Sequence, residues 1–195
     1  MNIVIVQYNA GNIQSVLYAL QRIGATGIVT NDAHAISSAD KVIFPGVGEA
    51  SSAMQYLQQQ GLDKIIKKLQ QPTLGICLGM QLMCTHSEEN NTNCLNIFDT
   101  PVKKFESNAL KVPQVGWNTI EPNNNILFNN ITTNSYCYFV HSYYAAICNN
   151  TIATTNYILP FSSALKKDNF YGVQFHPEKS AAIGEQILTN FLNLT

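Results

Sequence analysis

Thr73-Leu74-Gly75-Ile76-Cys77-Leu78-Gly79-Met80-Gln81 reads as the end of a strand, a tight turn and the start of a helix. Residues 72–76 read as a short strand, and residues 78–83 as the start of a helix. Glycines flank the centre as Gly-x-Cys-x-Gly, so a sharp strand-to-helix turn can form without a Cβ clash. Such a turn lifts the Cys77 side chain to the carboxyl edge of a sheet. Its sulfur then lies near a helix N-terminus, whose partial positive charge favours thiolate. The same five residues also fit a buried structural cysteine between two packing glycines. The placement between strand and helix favours the nucleophile reading.

Outward from this turn, the first half of the chain alternates strand and helix signals. Residues 2–7 form a short β-rich run, followed by a turn at Asn9-Ala10-Gly11-Asn12. Ile13, Val16, Leu17, Leu20 and Ile23 recur at helical spacing, and Gly24 ends the helix. Residues 27–30 and 41–44 are further strands, the latter ended by Pro45-Gly46. Met54, Leu57, Leu62, Ile65, Ile66 and Leu69 mark two helical stretches broken near Gly61. Strands alternating with helices imply parallel pairing and an α/β layered fold. Ligand sites in such folds lie beyond the carboxyl ends of the strands. From Phe98 onward, strand-like runs at residues 137–144 and 170–175 lie too close together for intervening helices. Antiparallel strands added to the sheet, or a small second sheet, are expected there. Residues 183–192 close the chain as a helix.

The 195 residues point to a single domain, 1–195, large enough to bury a core without disulfides. Hydrophobic residues make up 46% and charged residues 12%, which argues against disorder. A net charge of −1 gives no basic face for nucleic acid and no polybasic signal for a membrane. No apolar run is long enough for a bilayer, and no signal-peptide pattern opens the chain. Five cysteines at irregular spacing, without Cys-x-x-Cys, favour reduced thiols in a cytoplasmic protein and argue against a zinc site.

A cysteine nucleophile needs a base, and the base needs an orienting group. His176 lies in Gly172-Val173-Gln174-Phe175-His176-Pro177-Glu178-Lys179, where a strand is expected to end at Phe175 and Pro177 forces a turn. An extended i, i+2 pair projects to one side, which would set Glu178 against one ring nitrogen of His176 while the other faces the thiol. His-Pro-Glu by itself also fits a surface turn. Phe44-Pro45-Gly46-Val47-Gly48 follows a strand and precedes a helix. Its backbone amides can face a developing oxyanion together with that of Leu78, although glycine and proline also mark ordinary turns. It is no dinucleotide fingerprint, because the third glycine position of Gly-x-Gly-x-x-Gly holds Ser51.

The order of these motifs, oxyanion loop, Gly-x-Cys-x-Gly-x-Gln and His-Pro-Glu, resembles that of the class I, or triad-type, glutamine amidotransferases. The resemblance implies a mostly parallel central sheet with helices on both faces. It also implies that Cys77 attacks the glutamine amide, His176 moves the proton and Glu178 orients His176. Gly46, Val47, Gly48 and Leu78 would hold the oxyanion, and Gln81, Glu89, Ser142 and Tyr143 the substrate L-glutamine. No cofactor or metal is implied.

Within that family, Val112-Pro113-Gln114-Val115-Gly116-Trp117-Asn118 is similar to the glutaminase subunits of imidazole glycerol phosphate synthases. So are Asn9 through Val16, Tyr138-Phe139-Val140-His141-Ser142-Tyr143 and Gly172 through Ser180, and the likeness spans nearly the whole chain. The implied partner is a (β/α)8-barrel cyclase subunit forming a heterodimer, with Asn12, Trp117 and Lys179 at positions near the interface. Departures are Gln7 where many relatives carry Asp, Asn9 where Gly is common, and Gln114 where His is frequent. Alternatives that stay open are an amidotransferase subunit feeding a different synthase, a free-standing γ-glutamyl hydrolase, and a binding subunit with a dead site.

Overall fold

The computed structural model describes residues 1–9 and 12–195. The expected turn at Asn9-Ala10-Gly11-Asn12 therefore lies partly outside the described residues. The chain runs β1 (Ile3–Val6), α1 (Ile13–Arg22), β2 (Gly27–Thr30), α2 (Ala33–Ser37), β3 (Lys41–Phe44), α3 (Ala50–Gln59), α4 (Leu62–Ile66), β4 (Thr73–Ile76) and α5 (Leu78–Leu82). There follow β5 (His86–Ser87), β6 (Thr92–Asn93), β7 (Val102–Lys104), β8 (Gln114–Pro122), β9 (Ser135–His141), β10 (Tyr143–Ala145), β11 (Thr151–Tyr157), β12 (Leu159–Lys167), β13 (Phe170–Val173) and α6 (Ala181–Leu192).

Strands β2, β1, β3, β4 and β13 lie side by side in that order, each pair parallel. Their carboxyl ends therefore share one edge. From β13 the sheet continues through antiparallel β12 to β10 and β7. Strands β8 and β9 form a long antiparallel ribbon that joins the sheet through β11. This is the α/β architecture with antiparallel additions expected from the sequence.

Strands β1, β3, β4 and β13 are buried at every position, as parallel strands covered on both faces must be. Alternate residues of β1 enter different cores. Ile3 and Ile5 pack with Val16 and Leu20 of α1 and with Ile187, Leu188 and Phe191 of α6. Val4 and Val6 pack with Met54 and Leu57 of α3, Leu62 and Ile66 of α4, and Ile36 of α2. Helices thus cover both faces of the central sheet. Each fully buried Phe or Leu contributes about 1.5–3 kcal/mol of transfer free energy, and Phe44, Phe139, Phe175 and Phe191 are among the largest such side chains.

Three local features go beyond or differ from the sequence pattern. Strand β13 stops at Val173, before Phe175, because β12 pairs with it only through Val173. The helix after Cys77 ends at Leu82 and is five residues long. Helix α2 gave no periodic signal, and Ile36 is its one buried residue.

Candidate active site

The three motifs leave the carboxyl ends of three adjacent strands, β3, β4 and β13. Cys77 follows β4 directly, with φ 52° and ψ −109°, a left-handed φ that strains a residue bearing a Cβ. The turn is clamped on both sides: Cys77 N–H donates to Val173 O at 2.8 Å, and Gln81 N–H to Cys77 O at 3.1 Å. The flanking glycines are sterically required. A Cβ on Gly75 would come within 2.8 Å of the Met80 nitrogen, and one on Gly79 would land on the Phe44 carbonyl oxygen.

His176 and Glu178 are buried together, and Nδ1 of the ring lies 2.8 Å from Glu178 Oε1. They do not form the extended pair expected. Pro177–Lys179 is a 3-10 turn, and this turn folds the carboxylate back onto the ring. The turn is anchored to β9, since His176 N–H donates to Tyr138 O at 2.9 Å. Ser180 Oγ also donates to His176 O at 2.6 Å and accepts from Tyr138 N–H at 3.0 Å. Glu178 Oε1 takes a second donor, Asn12 Nδ2, at 3.4 Å. With Nδ1 facing Glu178, the other ring nitrogen is the one left to serve Cys77. Burial disfavours the imidazolium, but the charge of a Cys77 thiolate, the hydrogen bonds to that sulfur and to Glu178, and the Glu178 charge outweigh it. Together they push His176 up from 6.5 to about 10. The arrangement therefore stabilises a protonated His176 ring beside the Cys77 sulfur.

The Pro45–Gly48 loop borders this pair. Tyr8 donates its hydroxyl to Pro45 O at 2.6 Å. Gly48 has φ 116°, a left-handed value that favours glycine. Leu78 N–H donates to Gly46 O at 3.3 Å. In this arrangement one of the four expected oxyanion groups therefore binds another: the loop's own carbonyl occupies the amide that an oxyanion would use. Gly46 is buried, while Val47, Gly48 and Leu78 reach the cavity.

A cavity of about 310 Å³ opens over Cys77 and His176. Its walls include the expected Gln81, Glu89, Ser142 and Tyr143, with Lys179 also on the lining. Glu89 Oε2 accepts the Ala50 N–H at 2.7 Å and so caps α3. Burial raises the Glu89 carboxyl above its ordinary value, with the Ala50 amide opposing and Glu49 adding to the rise. Among the described residues, no group of three or more His, Cys, Asp or Glu side chains is arranged to hold a metal ion.

The family model for "Glutamine amidotransferase class-I" matches residues 4–194. An imidazole glycerol phosphate synthase subunit HisH of Bacteroides thetaiotaomicron is 57% identical over 100% of both chains. Those of Bacteroides fragilis and Pectobacterium atrosepticum are 55% and 49% identical, again over 100% of each chain. The chain belongs to the class I glutamine amidotransferase family, in its imidazole glycerol phosphate synthase subunit branch. Solved structures agree on the fold. A putative GMP synthase subunit from Thermoplasma acidophilum matches with TM-score 0.74 at 20% identity, covering 98% of this chain and 92% of that one. A structure described as a glutamine amidotransferase matches with TM-score 0.75 at 16% identity, covering 97% of this chain and 96% of that one.

This amidotransferase carries an exposed apolar face on the β8–β9 ribbon. Val115, Trp117, Tyr136 and Val140 lie on it, with Trp117 53% exposed. Trp117 packs edge-on against its cross-strand neighbour Tyr138, and Lys179 Nζ sits 5.9 Å from the Tyr138 ring centroid. Trp117 and Lys179 therefore join one surface that continues to the cavity wall. Asn12 is placed differently, against Glu178 and Ser15.

Several residues at the amidotransferase site escaped the sequence reading. His141, Val140 and Pro113 line the cavity. His141 Nδ1 lies 2.7 Å from Tyr143 O, and Nε2 is 3.1 Å from Gln114 Oε1. Burial, opposed by the Tyr143 carbonyl and aided by His176, lowers His141 to about 4. The ring is thus neutral: Nδ1–H donates to Tyr143 O and leaves Nε2 an acceptor, so the Gln114 amide must rotate by 180°, exchanging Oε1 for its NH2, to pair with it. Gln114, one of the departures from the family pattern, fits its neighbour by this rotation. Gln174 and Tyr8 gave no sequence signal, because their partners are distant in the chain.

Proposed function

We propose that the chain is the glutaminase subunit of an imidazole glycerol phosphate synthase, releasing ammonia from L-glutamine for a separate cyclase subunit in histidine biosynthesis. The observation that carries this reading is the buried Cys77, His176 and Glu178 constellation at the carboxyl ends of adjacent strands, with a glutamine-sized cavity above it. Full-length identity to synthase subunits supports the pathway.

The chemistry follows from the positions. Cys77 gives its proton to His176, and the thiolate attacks the side-chain amide carbon of glutamine. The carbonyl oxygen becomes an oxyanion, and collapse of the tetrahedral adduct expels the amide nitrogen, which takes the proton from His176 and leaves as ammonia. A thioester remains on Cys77. Water then attacks it while His176 accepts the water proton, and glutamate leaves as the thiolate re-forms. Glu178 keeps Nδ1 protonated so that the cysteine-facing nitrogen can cycle. Gln81, Glu89, Ser142 and Tyr143 surround the substrate. Val47, Gly48 and Leu78 supply oxyanion donors once the Gly46 carbonyl has turned away from Leu78 N–H. That requirement gives a reason for low activity until a partner arrives.

The partner is a (β/α)8-barrel cyclase that covers the Trp117, Tyr138 and Lys179 face. Asn12 touches the triad itself, through Glu178. The five cysteines are unpaired, in keeping with a cytoplasmic enzyme. The deciding experiment is co-purification with a cyclase, measuring glutamate formation with and without the cyclase's ligand. Ammonia release is expected to vanish in Cys77→Ser, and its persistence there would overturn the assignment.

A further inference from the structure

A single backbone carbonyl dictates the direction of a buried hydrogen-bond chain that ends on the nucleophile. Tyr143 O is an acceptor only. It lies 2.9 Å from Gln81 Nε2, which fixes the nitrogen end of the Gln81 amide toward it. The same nitrogen donates to Gln174 Oε1 at 2.9 Å. Gln174 must therefore turn its oxygen to Gln81 and its nitrogen away, and that nitrogen lies 3.6 Å from Cys77 Sγ. Rotating the Gln81 amide would set oxygen against carbonyl oxygen, and rotating the Gln174 amide would set NH2 against NH2. The polarity of the chain thus follows from its connectivity.

We propose that Gln174 is a positioning residue for the nucleophile: oriented by Gln81, it donates an N–H to the Cys77 sulfur and favours the anion. This rests on the reading of Cys77 as the nucleophile. Gln174 is fully buried, and a buried amide is tolerated only when its polar atoms are engaged. The sulfur has a second neighbour with the opposite preference. Its S–H donates to Val140 O at 3.8 Å, a contact available to the thiol and repulsive to the thiolate. When the proton moves to His176 the Val140 contact is lost, and the Gln174 contact becomes charge-assisted and stronger. Helix α5, only five residues long, contributes a small dipole at the same point. Gln81 spends its nitrogen on Tyr143 and Gln174, so its carbonyl oxygen is the atom left for a ligand. It therefore accepts from an N–H of the bound amino acid, and one residue joins substrate binding to the state of the sulfur.

The test is alkylation of Cys77 by iodoacetamide in the full-length protein, followed at that residue by mass spectrometry across a range of pH. Gln174→Met keeps the length of the side chain and removes the donor. Alkylation near neutral pH should slow by about tenfold or more, the scale of one hydrogen bond to a charged acceptor, and the deficit should close in alkaline solution. Rates within twofold of the unaltered protein at every pH would overturn the proposal. Should the variant not fold, the unaltered protein decides. The side-chain amide resonance of Gln174 should move as Cys77 deprotonates and stay still in Cys77→Ala; no movement overturns the proposal. Alkylation does not depend on turnover, so failure here is distinct from persistence of ammonia release in Cys77→Ser.

Discussion

Replacing Glu178 by Gln tests how the triad divides its labour. The carboxylate is buried and holds Nδ1 of His176 at 2.8 Å through Oε1. Its other oxygen, Oε2, has no hydrogen-bond partner among the described residues. A glutamine amide of the same shape therefore has two poor choices. With its oxygen toward Nδ1, its NH2 occupies the Oε2 position, where none of the described residues is hydrogen-bonded. With its NH2 toward Nδ1, the ring must carry its proton on the cysteine-facing nitrogen, and the base is lost. The first choice removes a charge-assisted hydrogen bond, about 1.5–3 kcal/mol, which corresponds to roughly 10- to 150-fold in rate at 1.36 kcal/mol per decade. The second adds the wrong tautomer, so a fall of about 100-fold or more in kcat is expected, with KM for glutamine little changed because Glu178 does not line the cavity. Glutamate formation by the complex, coupled to a dehydrogenase, reads this directly. A kcat within threefold of the unaltered enzyme would refute the orienting role.

Three further outcomes follow. Gly48→Ala meets no neighbouring atom, yet φ there is 116°, so the substitution strains the loop in this conformation by about 1–2 kcal/mol and favours any conformation that relaxes that φ. Glutaminase activity without the cyclase should rise, and an unchanged ratio of stimulated to unstimulated rates would count against loop gating. Trp117→Ala removes a ring already 53% exposed, so thermal stability should hold while binding to the cyclase weakens by about 2 kcal/mol, the scale of an interface hot spot; calorimetric titration reads both partners directly. His176 is raised from 6.5 to about 10 in the folded protein, so the folded state binds that proton more tightly than the unfolded state does. Its stabilising contribution is complete below about 6.5 and is lost as the pH rises through about 10. The unaltered protein should therefore lose stability relative to His176→Asn over that window in denaturant titrations.

The parts of this fold that were legible in the sequence are those whose causes are local. Strand β4 and its cysteine turn could be read because strand propensity, flanking glycines and helix propensity fall within nine consecutive residues. The spatial meeting of Cys77 and His176 could be anticipated because both follow strands of one parallel sheet, and parallel strands place their carboxyl ends on one edge. Pairing within the 3-10 turn of Pro177–Lys179 was harder, since an extended and a turned backbone both bring an i, i+2 pair together, and only the anchoring of this turn to Tyr138 and Ser180 selects one.

What the sequence hid are side chains whose purpose lies in distant partners. Gln174 looks like a polar break at the end of a strand, yet it contacts Gln81 and Cys77, each more than 90 positions away. Asn12 stands 166 positions from the Glu178 it touches, and Tyr8 stands 37 from the Pro45 carbonyl it holds. These contacts share a physical logic. A strained cysteine turn, a buried carboxylate and a loop built on glycine are each held from behind by a neutral polar side chain that spends no net charge in the core. A charged group in those places would compete with Glu178 and the Cys77 sulfur for the charge on His176. An amide or a hydroxyl fixes geometry while leaving the electrostatics of Cys77 and His176 to each other.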